Sequence, residues 1–244
     1  MAFQWACITG QWDIARTMLE QCAVLAPEFC PSIDQYRGCL RAECHRASVF
    51  HSQSACRAAR PNFLSGTRRW VKRQLGLLQS GRDGGLLAAK HDYNLEADKS
   101  WNLPGTSNLG AFAWLQDGDD RLGPISEIFL GGRYFWVPFE SMAEMTLTPV
   151  VYILDRVWRP VEILLWDGTK CAGFLPARYI GSQWTDDDLK LGHRTLWIWL
   201  NSSQWAGLGE RQLCSEQRCW PLSQLTVIRF QPAADSLLSD ERER

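Results

Sequence analysis

The sequence predicts an α+β protein in two parts, with helical hairpins first and a mainly antiparallel β domain after them. Three observations predict it. Apolar residues recur at helical spacing through much of the first hundred positions. From residue 111 onward, short apolar and aromatic runs alternate with glycine, proline and aspartate. Between two such runs, Ile125 to Leu130 and Arg133 to Val137, stands Gly131-Gly132, a pair that tolerates the positive φ of a tight primed turn. The expected boundaries are a helical part at 1–100, a linker at 101–110, a β-rich part at 111–231 and a charged, disordered tail at 232–244.

The helical part begins with a recognisable spacing. Gly10 sits at a tight turn, Trp12 fills the space between two helices, and Ala15 lets them approach closely. Leu19 and Cys22 extend the same face, and Pro27 ends the helix. The pattern resembles the second helix of a tetratricopeptide repeat, with Cys22 where alanine is usual. Only Met1 to Thr9 precede the turn, so the chain is expected to start inside a repeat, as a truncated protein or one with a mis-set start would. Ser32 is expected to cap a third helix reaching about Phe50, with Tyr36, Leu40, Ala47 and Phe50 on one face. Residues 51–61 read as a loop. A fourth helix is expected over about 66–79 and a fifth over 86–98. The fourth is basic, and Arg69, Trp70 and Arg73 are the candidate partner-binding residues on it. Lys99 to Gly110, with Pro104-Gly105, reads as the linker.

The second part is expected to hold strands at 111–116, 124–130, 133–138, 144–148, 161–166, 169–175, 194–200, 208–214, 218–221 and 225–230. Asp167-Gly168 is a hairpin turn between the fifth and sixth of these. Three segments share one plan, around Pro138, Pro176 and Pro221. In each, proline stops a strand and a one-turn helix leads the chain into the next one. The acidic turn Asp117-Gly118-Asp119-Asp120 is closed by Arg121, through charged hydrogen bonds.

Composition bounds the function. The formal net charge of -1 gives no global field that favours nucleic acid or an anionic membrane. Most of the 13 tryptophans are expected in the core, with a minority marking a binding patch. The 9 cysteines have no zinc-ligand spacing, and no secretory signal precedes them. Reduced thiols in a cytoplasmic protein are therefore expected, and no apolar run reaches the length of a membrane span. Neither a nucleophile elbow, a phosphate loop, a dinucleotide fingerprint nor an H-E-x-x-H helix is present. No cofactor and no metal are expected. The catalytic alternative is an enzyme using the Asp117–Arg121 turn, with Asp119 and the more distant Glu127 as a carboxylate pair.

Several motifs together carry a resemblance. Asp117-x-Asp119-x-Arg121-Leu122-Gly123-Pro124 is followed by Gly132-Arg133-Tyr134-Phe135-Trp136-Val137-Pro138-Phe139. Farther on come Val157-Trp158-x-Pro160, Pro176-x-Arg178-Tyr179-x-Gly181-Ser182 and Gly207-Leu208-Gly209-x-Arg211. This set resembles the ImpE family, also called TagJ or SciE, accessory proteins of bacterial type VI secretion. The resemblance implies a tetratricopeptide-like part followed by an α+β part. It implies a non-enzymatic adaptor that binds the N-terminal helix of the small sheath subunit TssB and is linked to the ClpV disaggregase. The motif residues Asp119, Arg121, Gly123, Pro124, Gly132, Arg133, Trp136, Pro138, Trp158, Pro160, Arg178 and Tyr179 are expected to be structural. A degenerate relative with a structural role only, and an enzyme using the acidic turn, are the competing readings.

Overall fold

The structure, a computed structural model, describes residues 1–26, 28, 30–51, 57–58, 71, 76, 103–201 and 204–232. The helices α1 (Ala2–Ile8) and α2 (Trp12–Leu25) meet at Gly10, whose φ of 69° is the left-handed conformation its position demands. α2 buries Ala15 and Leu19, as the spacing predicts, but Cys22 is exposed. Trp12 does not simply fill the space between helices. Its ring lies 5.9 Å from that of Trp158 in the β domain. α3 spans Cys30–Phe50, so Ser32 lies inside the helix, exposed, and does not cap it. The expected fourth and fifth helices, with Arg69, Trp70 and Arg73, lie outside the described residues.

The β-rich part forms three sheets among the described residues. The largest contains β1 (Arg57–Ala58), β2 (Gly105–Ser107), β3 (Gly110–Phe112), β5 (Ile125–Leu130), β6 (Arg133–Pro138), β7 (Met142–Leu147), β8 (Trp158–Leu165), β9 (Lys170–Pro176) and β14 (Val227–Phe230). Their order is β1-β6-β5-β9-β8-β7-β14-β2-β3. β4 (Gln116–Asp117), β12 (Gln212–Cys214) and β13 (Cys219–Pro221) form a small sheet, and among the described residues β10 (Thr195–Asn201) pairs only with β11 (Gln204–Gly209). Pairing is antiparallel except for β1 on β6. The helix α4 (Asp187–Lys190) precedes β10.

Further expectations need correction. Residues 57–58, read as loop, join the large sheet beside β6. Residues 105–110, read as linker, make the β2–β3 hairpin, and β2 pairs with β14. The single strand expected at 208–214 breaks at Glu210–Arg211, after Gly209 at φ 87°. Cys214 and Cys219, expected as reduced thiols, are joined by a disulfide across opposed positions of β12 and β13. The proline plan holds at Pro138 and Pro221, each followed by a one-turn helix, Phe139–Ser141 and Leu222–Gln224. After Pro176 the chain instead runs extended through Arg178, which bridges to Glu210.

The large sheet is covered on both faces. β5 is buried from Ile125 to Phe129 without alternation, which is the pattern of a doubly covered strand. Ile128 faces a core with Met142, Met145, Ile163, Leu175, Trp220 and Ile228. Ile125 and Phe129 face the other, where Leu19, Leu40 and Val49 of the helices meet Tyr134, Trp136 and Trp158. α3 approaches this sheet at the β5–β6 turn, where Gly38 and Gly132 touch. A Cβ on Gly132 would lie 2.9 Å from Gly38 Cα, and Gly132 sits at φ 71°. Gly131, at φ 55°, has open space around it. Gly131→Ala is therefore expected to cost about 1 kcal/mol from backbone conformation alone. Gly132→Ala adds the clash with α3 and is expected to cost at least about 2 kcal/mol in urea unfolding. Equal costs would mean that α3 does not rest on this turn.

Candidate functional site

The motif residues converge on a buried charged network between the helices and the sheets. Glu43 and Arg46 project from one face of α3, Glu127 from β5, Asp117 from β4, and Arg211 from the break before β12; all five are buried. Arg46 donates from Nε to Glu127 Oε1 at 2.8 Å and from Nη2 to Oε2 at 3.0 Å. It also donates from Nη1 to Glu43 Oε1 at 3.1 Å and from Nη2 to the Arg178 carbonyl at 2.9 Å. Arg211 donates to Glu127 Oε2, to Asp117 Oδ2 at 2.6 Å and to the Pro176 carbonyl at 2.9 Å. The Tyr134 hydroxyl donates to Glu127 Oε1 and accepts from Trp136 Nε1. Arg178 reaches the first helix. Its guanidinium donates to the Ile8 carbonyl at 2.8 Å, to the Cys7 carbonyl at 3.3 Å and to the Lys190 carbonyl.

The acidic turn does a second job. Asp119 Oδ1 accepts from the Arg121 amide at 3.0 Å and from its Nε at 2.8 Å. Asp119 Oδ2 accepts from Arg121 Nη2 at 2.5 Å and from the Gly207 amide at 3.1 Å. Asp120 Oδ2 accepts from the Trp205 amide at 2.7 Å, and the Asp120 amide donates to the Trp205 carbonyl at 3.1 Å. At the far end of β11, Ser182 Oγ accepts from the Gly209 amide at 2.7 Å, and the Tyr179 amide donates to the Gly209 carbonyl at 3.0 Å. The turn and the Tyr179–Ser182 segment thus cover the outer edge of β11.

The remaining motif residues fall into place around these two features. Gly123 returns the chain at φ 55° and its carbonyl accepts from the Asp117 amide at 2.7 Å; the Pro124 carbonyl accepts from Phe139 at 3.0 Å. Pro138 ends β6, while Pro160 lies within β8 opposite Phe174. Tyr179 is buried, its hydroxyl meeting the Gln212 amide at 3.0 Å and carbonyl at 3.2 Å. Only glycine fits at 207, because a Cβ there would stand 2.2 Å from the Tyr179 ring. Trp158 is buried beside Tyr36 and Trp12. Arg133 is exposed and makes no part of the network. Asp119 and Glu127, the catalytic alternative, are both fully buried and held by separate donors. Neither presents an oxygen to solvent, so they do not form an accessible acid–base pair.

Electrostatics follow from the geometry. Burial alone would raise Glu127, but the Arg46 and Arg211 guanidiniums outweigh it and hold the carboxyl at about 2. Burial pushes Asp117 up to about 7, with Arg211 pulling the other way. Burial lowers Arg178 to about 10, and Glu43 opposes that. Sequence reasoning did not single out Arg46, the cation that joins α3 to β5. The signal was the Glu43–Arg46 pair, an i,i+3 spacing set within an otherwise apolar helix face.

The tryptophans are distributed against expectation. Trp136, Trp158 and Trp220 are buried. Trp5, Trp166, Trp184, Trp199 and Trp205 are exposed, and the rings of Trp199 and Trp205 lie 4.0 Å apart on the β10–β11 hairpin. Among the described residues, no cluster of three or more histidine, cysteine or carboxylate side chains is placed to hold a metal ion. No described helix is long and apolar enough to cross a membrane.

Removal of Arg46 as Arg46→Leu leaves Glu127 and Glu43 short of a counter-charge and is expected to cost about 3–5 kcal/mol in denaturant unfolding. The pH dependence has two limbs. Glu127 is lowered on folding, so its contribution is full above its unfolded value of 4.5 and is lost as pH falls toward about 2. Asp117 is raised, so its folded form keeps a proton the unfolded chain has released, and stability declines from pH 3.8 to about 7. Asp117→Asn is expected to flatten that second decline and leave the acid limb in place, as read by denaturation midpoints across pH.

Residues 110–229 match the family model of ImpE protein. The chain is 28% identical over 231 residues to the type VI secretion system accessory component TagJ of Pseudomonas aeruginosa, covering 94% of this chain and 79% of that protein. Its fold is similar to the crystal structure of protein VPA1032 from Vibrio parahaemolyticus, with a TM-score of 0.79, 24% identity, and coverage of 96% of this chain and 86% of that one. The acidic turn and the network residues Asp117, Glu127, Tyr134, Arg178 and Arg211 lie within the segment that matches the ImpE family model, whereas Glu43 and Arg46 of α3 precede it.

Proposed function

We propose that this chain is an accessory component of a bacterial type VI secretion system and acts as a non-enzymatic adaptor in the cytoplasm. The observation that carries this reading is the similarity to TagJ, which spans the helical part as well as the ImpE domain. In this reading the helical part is a tetratricopeptide-like scaffold that receives the N-terminal helix of the small sheath subunit TssB. The adaptor is thereby linked to sheath recycling by ClpV. The buried network supports it physically. Arg46 and Arg178 fix α3 and α1 to the β domain, so any surface the helices offer is held in one orientation. Trp5 and Ile14 are exposed on α1 and α2 and supply apolar surface for an amphipathic helix. Arg69, Trp70 and Arg73 are proposed as further contacts.

Calorimetric titration with a synthetic peptide of the TssB N-terminal helix tests this. A saturable one-to-one isotherm with a negative heat-capacity change is the expected result, since apolar burial carries that signature. Trp70→Ala is expected to weaken it by about tenfold or more. Absence of heat up to about 1 mM peptide would favour a family member with a structural role only.

A further inference from the structure

The sheets differ in how their edges end. β3 is three residues long, and just beyond it the Glu216 carboxylate accepts from the Ala113 amide at 3.0 and 3.1 Å. β13 is three residues long and ends in Pro221. The outer edge of β11 is covered by Asp119, Asp120, Tyr179 and Ser182. β10 is different. It is seven residues long, and from Thr195 to Leu200 it has no charge, no proline and no glycine.

The pairing register says which of its main-chain groups face outward. Trp205, Gly207 and Gly209 turn theirs away from β10, toward the acidic turn and Ser182, and they stand opposite Trp199, Trp197 and Thr195. Directly opposed residues of an antiparallel pair either exchange both bonds or both point away. Trp197 and Trp199 therefore present their amides and carbonyls on the outer edge, where no described strand pairs with them. Beside that edge the side chains are apolar and open: Leu196 is 42% exposed, Trp199 59% and Leu200 38%. Natural edges are normally shortened, charged or covered against strand addition.

We propose that β10 pairs with β10 of a second copy of this chain, antiparallel about a two-fold axis at Ile198. The result is a continuous sheet in the order β11–β10–β10–β11. About that axis Trp197 meets Trp199 of the other copy, two outward-facing residues that exchange main-chain bonds in both directions. Ile198 meets its own counterpart as a close, non-bonded pair. Charge allows this occupant. The strand is neutral, so it meets itself without like-charge repulsion, and the neighbouring Arg194 is already paired with Asp186 at 2.7 Å. The contact is small, with total burial below about 1,200 Å², which places it among the weak, concentration-dependent interfaces.

Sedimentation of the full chain at rising concentration tests the proposal. The expected result is a reversible monomer–dimer equilibrium. Ile198→Lys and Ile198→Glu, each alone, place like charges on the axis and are expected to be monomeric, whereas their mixture is expected to form the heterodimer. Hydrogen exchange on the unaltered chain guards against misfolded variants, since the Trp197 and Trp199 amides are expected to gain protection as dimer forms. A chain monomeric to about 1 mM overturns the proposal and leaves the edge to an extended segment of another protein. A dimer that survives either variant, fails to form from the mixture of folded variants, or leaves both amides unprotected overturns it as well.

Discussion

One carboxylate organises this molecule. Glu127 lies at the centre of β5, sealed from solvent, and receives Arg46 from 81 positions before it and Arg211 from 84 positions after it. Taking any one of these charges out of water costs several kcal/mol unless its partners are in place. The helix, the strand and the break before β12 are therefore satisfied together or not at all. An apolar contact at this place would permit α3 to slide or rotate on the sheet. A bidentate guanidinium–carboxylate pair has one geometry, and it fixes the helix to a single register.

The rest of the interface is built to let that pair form. Gly38 and Gly132 bring the α3 backbone down onto the β5–β6 turn. The Tyr134 hydroxyl takes a third position on the Glu127 carboxylate, and Trp136 in turn donates to Tyr134, so side chains of β6 position the acceptor from below. Arg178 uses its carbonyl to accept from Arg46 and its guanidinium to hold the end of α1. The helical part is bound to the β domain by directional contacts as well as by apolar burial.

Much of the β domain was legible because its signals are local. Gly131-Gly132 and Asp167-Gly168 marked their hairpins, and Pro138 and Pro221 marked strand ends. What could not be read depends on partners distant in sequence. Nothing near Gly105 announces that β14 will pair with it, so a strand looked like a linker. Ser32 had the chemistry of a cap, but α3 starts earlier, at Cys30. The role of Arg46 was hidden for the same reason. A glutamate–arginine pair at i,i+3 on a helix is normally solvated, and only the fold sets Glu127 before Arg46. The tryptophans misled in the other direction, because size favours burial only where there is room, and the β10–β11 hairpin that carries Trp199 and Trp205 contributes to neither core cluster.

The acidic turn has one more consequence. Along the outer side of β11, carboxylates and a hydroxyl occupy the amides that a neighbouring strand would have used. Besides them the edge meets isolated main-chain amides, those of Asp120 and Tyr179, so no repeating ladder of donors and acceptors stands behind them on which growth can continue. In the language of polymer chemistry, the hairpin is a monofunctional unit, with one reactive end and one end already terminated. Whatever adds to it stops after a single step, and an apolar strand of this kind is thereby denied the route to a fibre.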